Sequence, residues 1–340
     1  MKRIGVLTSG GDTPGMNAAI RAVFKTGVDI DLQVMGIYHG YKGLIEGRVG
    51  YLAHADVESK MHKGGTILRT ARSEEFKTEG GIEKAISVLR AYEIEGLIVI
   101  GGDGSFKGAD ALSKRGIPVI GIPGTIDNDM GYTDFTIGFD TAVNNVMNEI
   151  YKIRDTMRAH DRVGVIEVMG RRCGDIALWA GVAGAADIIL VPERPLSWAD
   201  AANRLAANKL RGQLTSIVMI AEGAGKAEDF CEYVRKYTDV EIKATVLGYI
   251  QRGGNPSAFD RVLAAKMGQR AVELLADEAN MRGTDRAGSR AAENNDLREN
   301  FGYAVGIREN RIISVPLAEA VSTRDCFCLL YTSDAADDMQ

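Results

Sequence analysis

The chain has 340 residues, 45% of them hydrophobic, and a formal net charge of −5. That length allows one large domain or two ordinary ones, and the mildly acidic balance offers nothing to a nucleic-acid backbone. No apolar run approaches the roughly 18 residues of a membrane helix. The N-terminal MKRIGVLTSGGD passes from two basic residues straight into a strand-like run, without the apolar stretch and cleavage site of a secretory signal. Cys173, Cys231, Cys326 and Cys328 show neither metal-ligand spacing nor an even disulfide framework. These features predict a soluble, reduced, cytoplasmic protein.

Short β-branched runs alternate with helical stretches along the chain. RIGVLT is followed by SGGDTPG and the helix-like MNAAIRAVFKTG; GLIVI by GGDGS and FKGADALSKRG. IPVIGI runs into PGTIDND, and RVGVIEVM into GRRCGD and IALWAGVAGAA. DIILVP and TSIVMIAEG follow, and ATVLGYI leads through QRGGNPSAFDR into VLAAKMGQRAVELLA. Near-continuous apolar strands alternating with helices imply an α/β fold with mostly parallel sheets covered on both faces. The number of units predicts two Rossmann-like α/β lobes facing across an active-site cleft. In such sheets ligands sit beyond the carboxyl ends of the strands, and the glycine clusters fall there. The polar segment from about Asp277 to Asn300 lacks a hydrophobic pattern and reads as a flexible surface insertion.

Three of these strand-end segments carry chemistry. TSGGDTPGMN (Thr8 to Asn17) joins a strand to a helix start through glycines, which lets backbone amides approach an anion. It is neither a dinucleotide fingerprint nor a Walker loop, and a tight turn is the plain alternative. IGGDGSFKGA (Ile100 to Ala109) repeats the pattern with Asp103 inside it, suited to a metal ion beside phosphates. PGTIDND adds Thr125, Asp127 and Asp129. The two aspartates are two apart and would share one face of an extended segment. One carboxylate could take a proton from an attacking hydroxyl while the other serves a metal; an Asx turn is the alternative. Arg69 and Arg72, Arg162, Arg171 and Arg172, and Arg252 offer forked donors for phosphate oxygens. Singly they read as surface charges, and together with the loops they indicate phosphoryl transfer.

GVLTSGGDTPGMNAAIR, IGGDGS, PGTIDND, EVMGRRCGD and ATVLGYIQRGG resemble, in order and spacing, the motifs of the bacterial 6-phosphofructokinases. The likeness covers Met1 to about Asp277 and resumes weakly at YAVGIRENRI. It implies transfer of the γ-phosphoryl of ATP to the 1-hydroxyl of fructose 6-phosphate, a step of glycolysis. Asp127 is then the general base, Thr125 helps place the sugar and the transferred group, and Asp103 and Asp129 serve Mg²⁺. Gly11, Arg72, Gly102, Asp103, Gly104, Ser105 and Gly108 are implied to bind ATP. Arg171 and Arg72 would neutralise the transferring group. Met169, Gly170 and Glu222 would hold the sugar, and Arg252 and Arg162 its 6-phosphate, with Arg162 reaching from a neighbouring subunit of a homotetramer. Residues 1–138 plus 251–300 would form the ATP lobe, and 139–250 plus 301–321 the sugar-phosphate lobe.

The choice of donor has its own residues. The pyrophosphate-dependent relatives typically carry an aspartate and a lysine where this chain has Gly104 and Gly124. Glycine leaves room for the α-phosphate, which favours ATP over pyrophosphate. A non-catalytic metabolite-binding subunit is the other alternative, opposed by the complete set Asp103, Thr125, Asp127, Asp129 and Arg171. Lys243 and Tyr249 stand where the family usually has arginine and histidine in the 6-phosphate pocket, which predicts weaker sugar-phosphate affinity. The family's effector site keeps basic character at Arg21, Lys25, Arg154 and Arg211. It departs at His54, Ser59, Ala185, Gln213 and Thr215, so binding of ADP or phosphoenolpyruvate there is an open expectation. The run CLLYTSDAADD (Cys328 to Asp338) reads as a translated sequencing adapter, not as native chain.

Overall fold

Eleven strands occur among the described residues of the computed structural model, which are 1–285 and 302–322. In chain order they are Arg3–Thr8 (β1), Gln33–Ile37 (β2), Val49–Tyr51 (β3), Gly96–Gly101 (β4), Val119–Pro123 (β5), Val163–Val168 (β6), Ile188–Leu190 (β7), Ser216–Ala221 (β8), Ile242–Val246 (β9), Gly302–Arg308 (β10) and Arg311–Pro316 (β11). Every residue of β4, β6 and β8 is buried, as expected of parallel strands with both faces covered. The described residues divide into two units, one of residues 1–125, 130–138, 254–285 and 302–322, the other of 126–129 and 139–253.

The first unit holds a seven-stranded sheet in the order β11-β10-β5-β4-β1-β2-β3. Neighbours from β10 to β2 are parallel, and the two outer strands run antiparallel. Alternate side chains take opposite faces, as strand geometry requires. Ile4, Val6, Ile98 and Ile100 pack with Ile20, Val23, Leu263 and Met267 of the helices Met16–Asp29 and Ala258–Asp285. Leu7, Leu97 and Val99 pack on the other side with Phe106 and Leu112 of the helix Asp103–Ser113. The first two helices meet at small residues: a Cβ on Gly268 would lie 2.6 Å from that of Ala22. The second unit has a four-stranded, wholly parallel sheet, β7-β8-β6-β9. The expected α/β class and mostly parallel sheets are therefore present.

Several expectations need correcting. Residues 301–321 were expected in the second lobe, but the described part, 302–321, does not join it: β10 pairs in parallel with β5 and antiparallel with β11, extending the first sheet. The polar stretch begins as helix, because Ala258–Asp285 runs through residues 277–285. The sequence there, DEANMRGTD, starts with residues of fair helix propensity, and hydrophobic periodicity is not needed to extend a helix already nucleated. The rest of that segment, and residues 328–338, lie outside the described residues. ATVLGYI is not one strand: β9 ends at Val246, and Gly248–Arg252 forms a 3₁₀ turn. Gly248 takes a positive φ of 55° there, a conformation that suits glycine. No helix among the described residues is long and apolar enough to cross a membrane.

Candidate active site

In the first unit β5, β4 and β1 are neighbours, so parallel pairing brings their carboxyl ends, and the segments that follow them, side by side. Backbone bonds hold these ends together: Ser9 N–H donates to Ile100 O at 3.0 Å, and Gly124 N–H to Gly101 O at 3.0 Å. A Cβ on Gly101 would collide with Ser9 O and Ser105 Oγ, so glycine is required where the two loops touch. Thr8 Oγ1 donates to Arg69 O (2.9 Å) and Thr70 Oγ1 to Gly10 O (2.7 Å). These bonds lay the segment that carries the exposed Arg72 against the loop containing Gly11.

The helix Asp103–Ser113 opens directly after Gly102, so its free amides and dipole face the loop. Tyr41 Oη donates to Ser105 O at 2.5 Å and fixes this first turn from below. Asp103 sits in that turn, its side chain 32% exposed, with Lys107 Nζ 2.6 Å from Oδ2. Gly104 is exposed, and a Cβ built on it would meet nothing within 4 Å. Gly124 differs: a Cβ there would lie 3.1 Å from Ile100 Cγ2 and 3.4 Å from Met16 Cε. Gly108, expected at the nucleotide, is pressed against the Tyr41 and Phe76 rings, where a Cβ would approach to 2.7 and 2.9 Å. Packing alone demands glycine at 108. The main chain of Thr125 is held by Thr136 Oγ1, which donates to Thr125 O at 2.6 Å.

The second unit contains the short segment 126–129. It is not extended, as the spacing of its aspartates suggested, because Asn128 has a left-handed φ of 53°. Asparagine tolerates that region better than most residues. The resulting turn still presents both carboxylates to one arginine: Arg171 Nε is 3.3 Å from Asp127 Oδ2, and its Nη1 is 3.9 Å from Asp129 Oδ2. Asp127 is buried, and its carboxyl is pushed up to about 6. Burial is the main cause and the Asp129 charge the second, with Glu222 adding to them; Arg171 and Arg252 pull the other way and do not prevail.

Arg171 is itself held in place by the loop after β6. Gly170 has a φ of 138°, and a Cβ there would strike Cys173 O, so only glycine fits. Arg171 follows with a left-handed φ of 55°. Glu222, the residue after β8, accepts the amides of Gly170 (3.2 Å) and Arg171 (2.7 Å) on one carboxylate oxygen. Met169 N–H donates to the fully buried Gln251 Oε1 at 3.1 Å, and Gln251 Nε2 donates to Gly248 O at 3.0 Å. The loop with Met169, Gly170 and Arg171 is thus tied to the turn with Tyr249 and Arg252. In that turn the Arg252 guanidinium lies 5.8 Å from the centroid of the largely exposed Tyr249 ring.

Arg162 and Lys243 are not in this group. Arg162 precedes β6, and Lys243 pairs with Gly164 near the start of the same strand. At about 3.3 Å per residue, both stand roughly 15 Å or more from the carboxyl end where Met169 to Arg171 lie. Arg162 Nε pairs with Glu241 Oε1 at 2.6 Å. Within one chain Lys243 therefore stands at the same end of the sheet as Arg162, away from Arg252. Among the effector candidates, Arg21 and Lys25 share one face of Met16–Asp29, and Lys25 Nζ is 3.1 Å from His54 Nδ1. Arg154 Nη2 donates to Gly184 O (2.5 Å) and Ala185 O (2.7 Å), and Arg211 is exposed. Sequence reading missed Asn128, Asp175 and Gln251. All three are buried polar residues; Asn128 and Asp175 stood inside quoted motifs, and Gln251 stood in the strand-end turn.

Glycine loops on adjacent parallel strand ends in the first unit, and a buried carboxylate set against an arginine in the second, are each features that suit phosphoryl transfer on an α/β fold. The phosphofructokinase family model matches residues 3–275. The chain belongs to the phosphofructokinase family. It is 51% identical to an ATP-dependent 6-phosphofructokinase of Clostridium tetani and 50% identical to one of Alkaliphilus metalliredigens, each match covering 96% of both chains. Among solved structures it is similar to phosphofructokinase from Saccharomyces cerevisiae, with a TM-score of 0.85 and 33% identity. That match covers 100% of this chain and 48% of the yeast one, so the chain spans about half the yeast length. A pyrophosphate-dependent enzyme from Marinobacter aquaeolei, at 23% identity, 98% and 88% coverage and a TM-score of 0.80, shares the fold.

Proposed function

We propose that this chain transfers the γ-phosphoryl group of ATP to the 1-hydroxyl of fructose 6-phosphate, giving fructose 1,6-bisphosphate and ADP. The observation that carries this reading is Asp127: a buried carboxyl raised to about 6 and set 3.3 Å from Arg171. At neutral pH such a group is mostly ionised, yet it is a stronger base than an ordinary carboxylate. It takes the proton of the 1-hydroxyl as that oxygen bonds to the γ-phosphorus and the bond to the β-phosphate oxygen breaks. Arg171 and Arg72 neutralise charge on the transferring group, the main task in a loose phosphoryl-transfer transition state. Thr125 helps place the sugar and the transferred phosphoryl. The amides of the first unit's loops, at Gly11 and Gly102 to Ser105, receive the nucleotide phosphates.

Mg²⁺ is read as the partner of the nucleotide. Such ions are usually held by one or two carboxylates and by phosphates, and Asp103 and Asp129 are partly exposed carboxylates that suit this. The ion would neutralise phosphate charge, and Asp103, now paired with Lys107, would be one of its holders. ATP is favoured as donor by the open space at Gly104; the tight packing around Gly124 gives that glycine a structural reason as well. Met169, Gly170 and Glu222 are assigned to the sugar and Arg252, with Tyr249 beside it, to the 6-phosphate. Arg162 and Lys243, grouped at the far end of β6, are assigned to the 6-phosphate of a neighbouring subunit in a homotetramer. Arg21, Lys25, Arg154 and Arg211 are assigned to anionic effectors such as ADP or phosphoenolpyruvate, and the cytoplasm is the expected location. Asp127→Ser tests the reading. Turnover with ATP and fructose 6-phosphate should fall about 100- to 10,000-fold with KM values near those of the unaltered enzyme. Unaltered turnover in this variant would refute it.

A further inference from the structure

The turn that presents Asp127 and Asp129 rests on a buried hydrogen bond. Asn128 Nδ2 donates to Asp175 Oδ2 at 2.8 Å, and both side chains are buried, Asp175 completely. Asp175 is the first residue of the helix Asp175–Ala183, where the amides and dipole of a helix N-terminus favour a carboxylate. This helix begins four residues after Arg171 in the loop that also holds Cys173. One end of the bond therefore belongs to the turn with the two carboxylates, and the other to the segment with the arginine they face. Asn128 also holds a left-handed φ of 53°. Glycine would adopt that conformation more cheaply, so the amide side chain has a task beyond shaping the turn.

We infer that Asn128 and Asp175 form a positioning couple that sets the separation of Asp127 and Asp129 from Arg171. It acts on the chemical step and not on substrate affinity. Neither side chain need touch substrate. This rests on the reading of Asp127 as the base, and the test separates the two.

Three variants decide it. Asn128→Gly keeps the backbone conformation and removes the amide; Asp175→Ala removes the acceptor; Asp175→Asn keeps an acceptor oxygen of the same size. Losing a buried hydrogen bond costs enough for losses of about 10- to 100-fold. Asn128→Gly and Asp175→Ala should lose that much kcat with KM for fructose 6-phosphate changed less than about threefold, while Asp175→Asn recovers most of it. A purely structural couple would instead lower Tm and leave kcat per folded molecule unchanged, which would overturn the inference. So would an Asp175→Asn variant as impaired as Asp175→Ala. A crystal structure of Asn128→Gly, or of Asp175→Ala if the first does not fold, gives a readout without turnover. The Asp127 Oδ2 to Arg171 Nε separation, now 3.3 Å, should open beyond about 4 Å, the outer limit of an ion pair; an unchanged separation refutes the couple. Absence of turnover in the unaltered chain would sink the functional reading, and that distance would still decide the couple.

Discussion

The two units present their candidate functional residues in opposite ways. In the first, the candidate phosphate site is built mainly from main chain: glycine loops, a helix N-terminus and the exposed Gly104, with no buried charge. In the second, it is built from side chains: the buried Asp127, its neighbour Asp129, and Arg171 on a backbone with left-handed φ. Main-chain amides need no ionisation and are already paid for by the fold, so the phosphate loops carry little electrostatic strain. A buried carboxylate beside another must be kept ionised against desolvation. The lesson is that binding and chemistry load stability differently, and perturbing one residue in each unit should reveal it.

After loss of the base itself, removing charge stabilisation should have the largest effect. Arg171→Ala is expected to lower kcat about 100- to 1,000-fold, read by steady-state kinetics; a loss confined to KM would show Arg171 to be a binding group only. Next comes Gly104→Asp. The open space there means the fold should accept it, so its melting temperature should stay near that of the unaltered protein. Its ATP rate should fall about 100-fold through repulsion of the phosphates, with the pyrophosphate rate much less affected. An undiminished ATP rate would remove the donor argument.

A smaller effect belongs to pH. The raised Asp127 carboxyl must lose its proton to act as base, so kcat/KM should rise through a midpoint near 6. Between pH 7 and pH 5 it should fall about tenfold. A flat profile over that interval would contradict the role of the carboxyl. The last effect is on stability alone. A carboxyl whose folded pKa exceeds its unfolded value favours the folded state when protonated; this contribution is present below the ordinary carboxylate range and is lost as pH rises to about 6. Asp127→Asn should therefore match the unaltered protein in unfolding free energy near pH 3. Above pH 7 it should exceed it by about 3 kcal/mol. Equal stability at both pH values would mean that Asp127 carries no burial cost.

Much of the fold was legible because β1, β4, β5, β6 and β8 are apolar runs closed by glycine, and a parallel sheet buries both faces of such strands. The short strands β2 and β3 were overlooked: QVMGI and VGY are brief and lack glycine-rich ends. The helix Phe139–Ala159 escaped because polar residues occupy most of its turns. Residues 302–321 were assigned to the wrong unit because pairing of β10 with β5 is a long-range event that no local pattern encodes. At the site, Asp127, Asp129 and Arg171 were legible as chemistry, but the shared face of the two aspartates was attributed to an extended segment. The left-handed Asn128 that produces it, and the Asp175 and Gln251 that anchor the loops, are polar residues whose value comes only from burial.

The most direct test of the account is the phosphoryl donor used by the unaltered chain. With Mg²⁺ and fructose 6-phosphate present, ATP should yield ADP and fructose 1,6-bisphosphate in equal amounts, while pyrophosphate in its place should yield far less product. Faster turnover with pyrophosphate, or none with either donor, would contradict it.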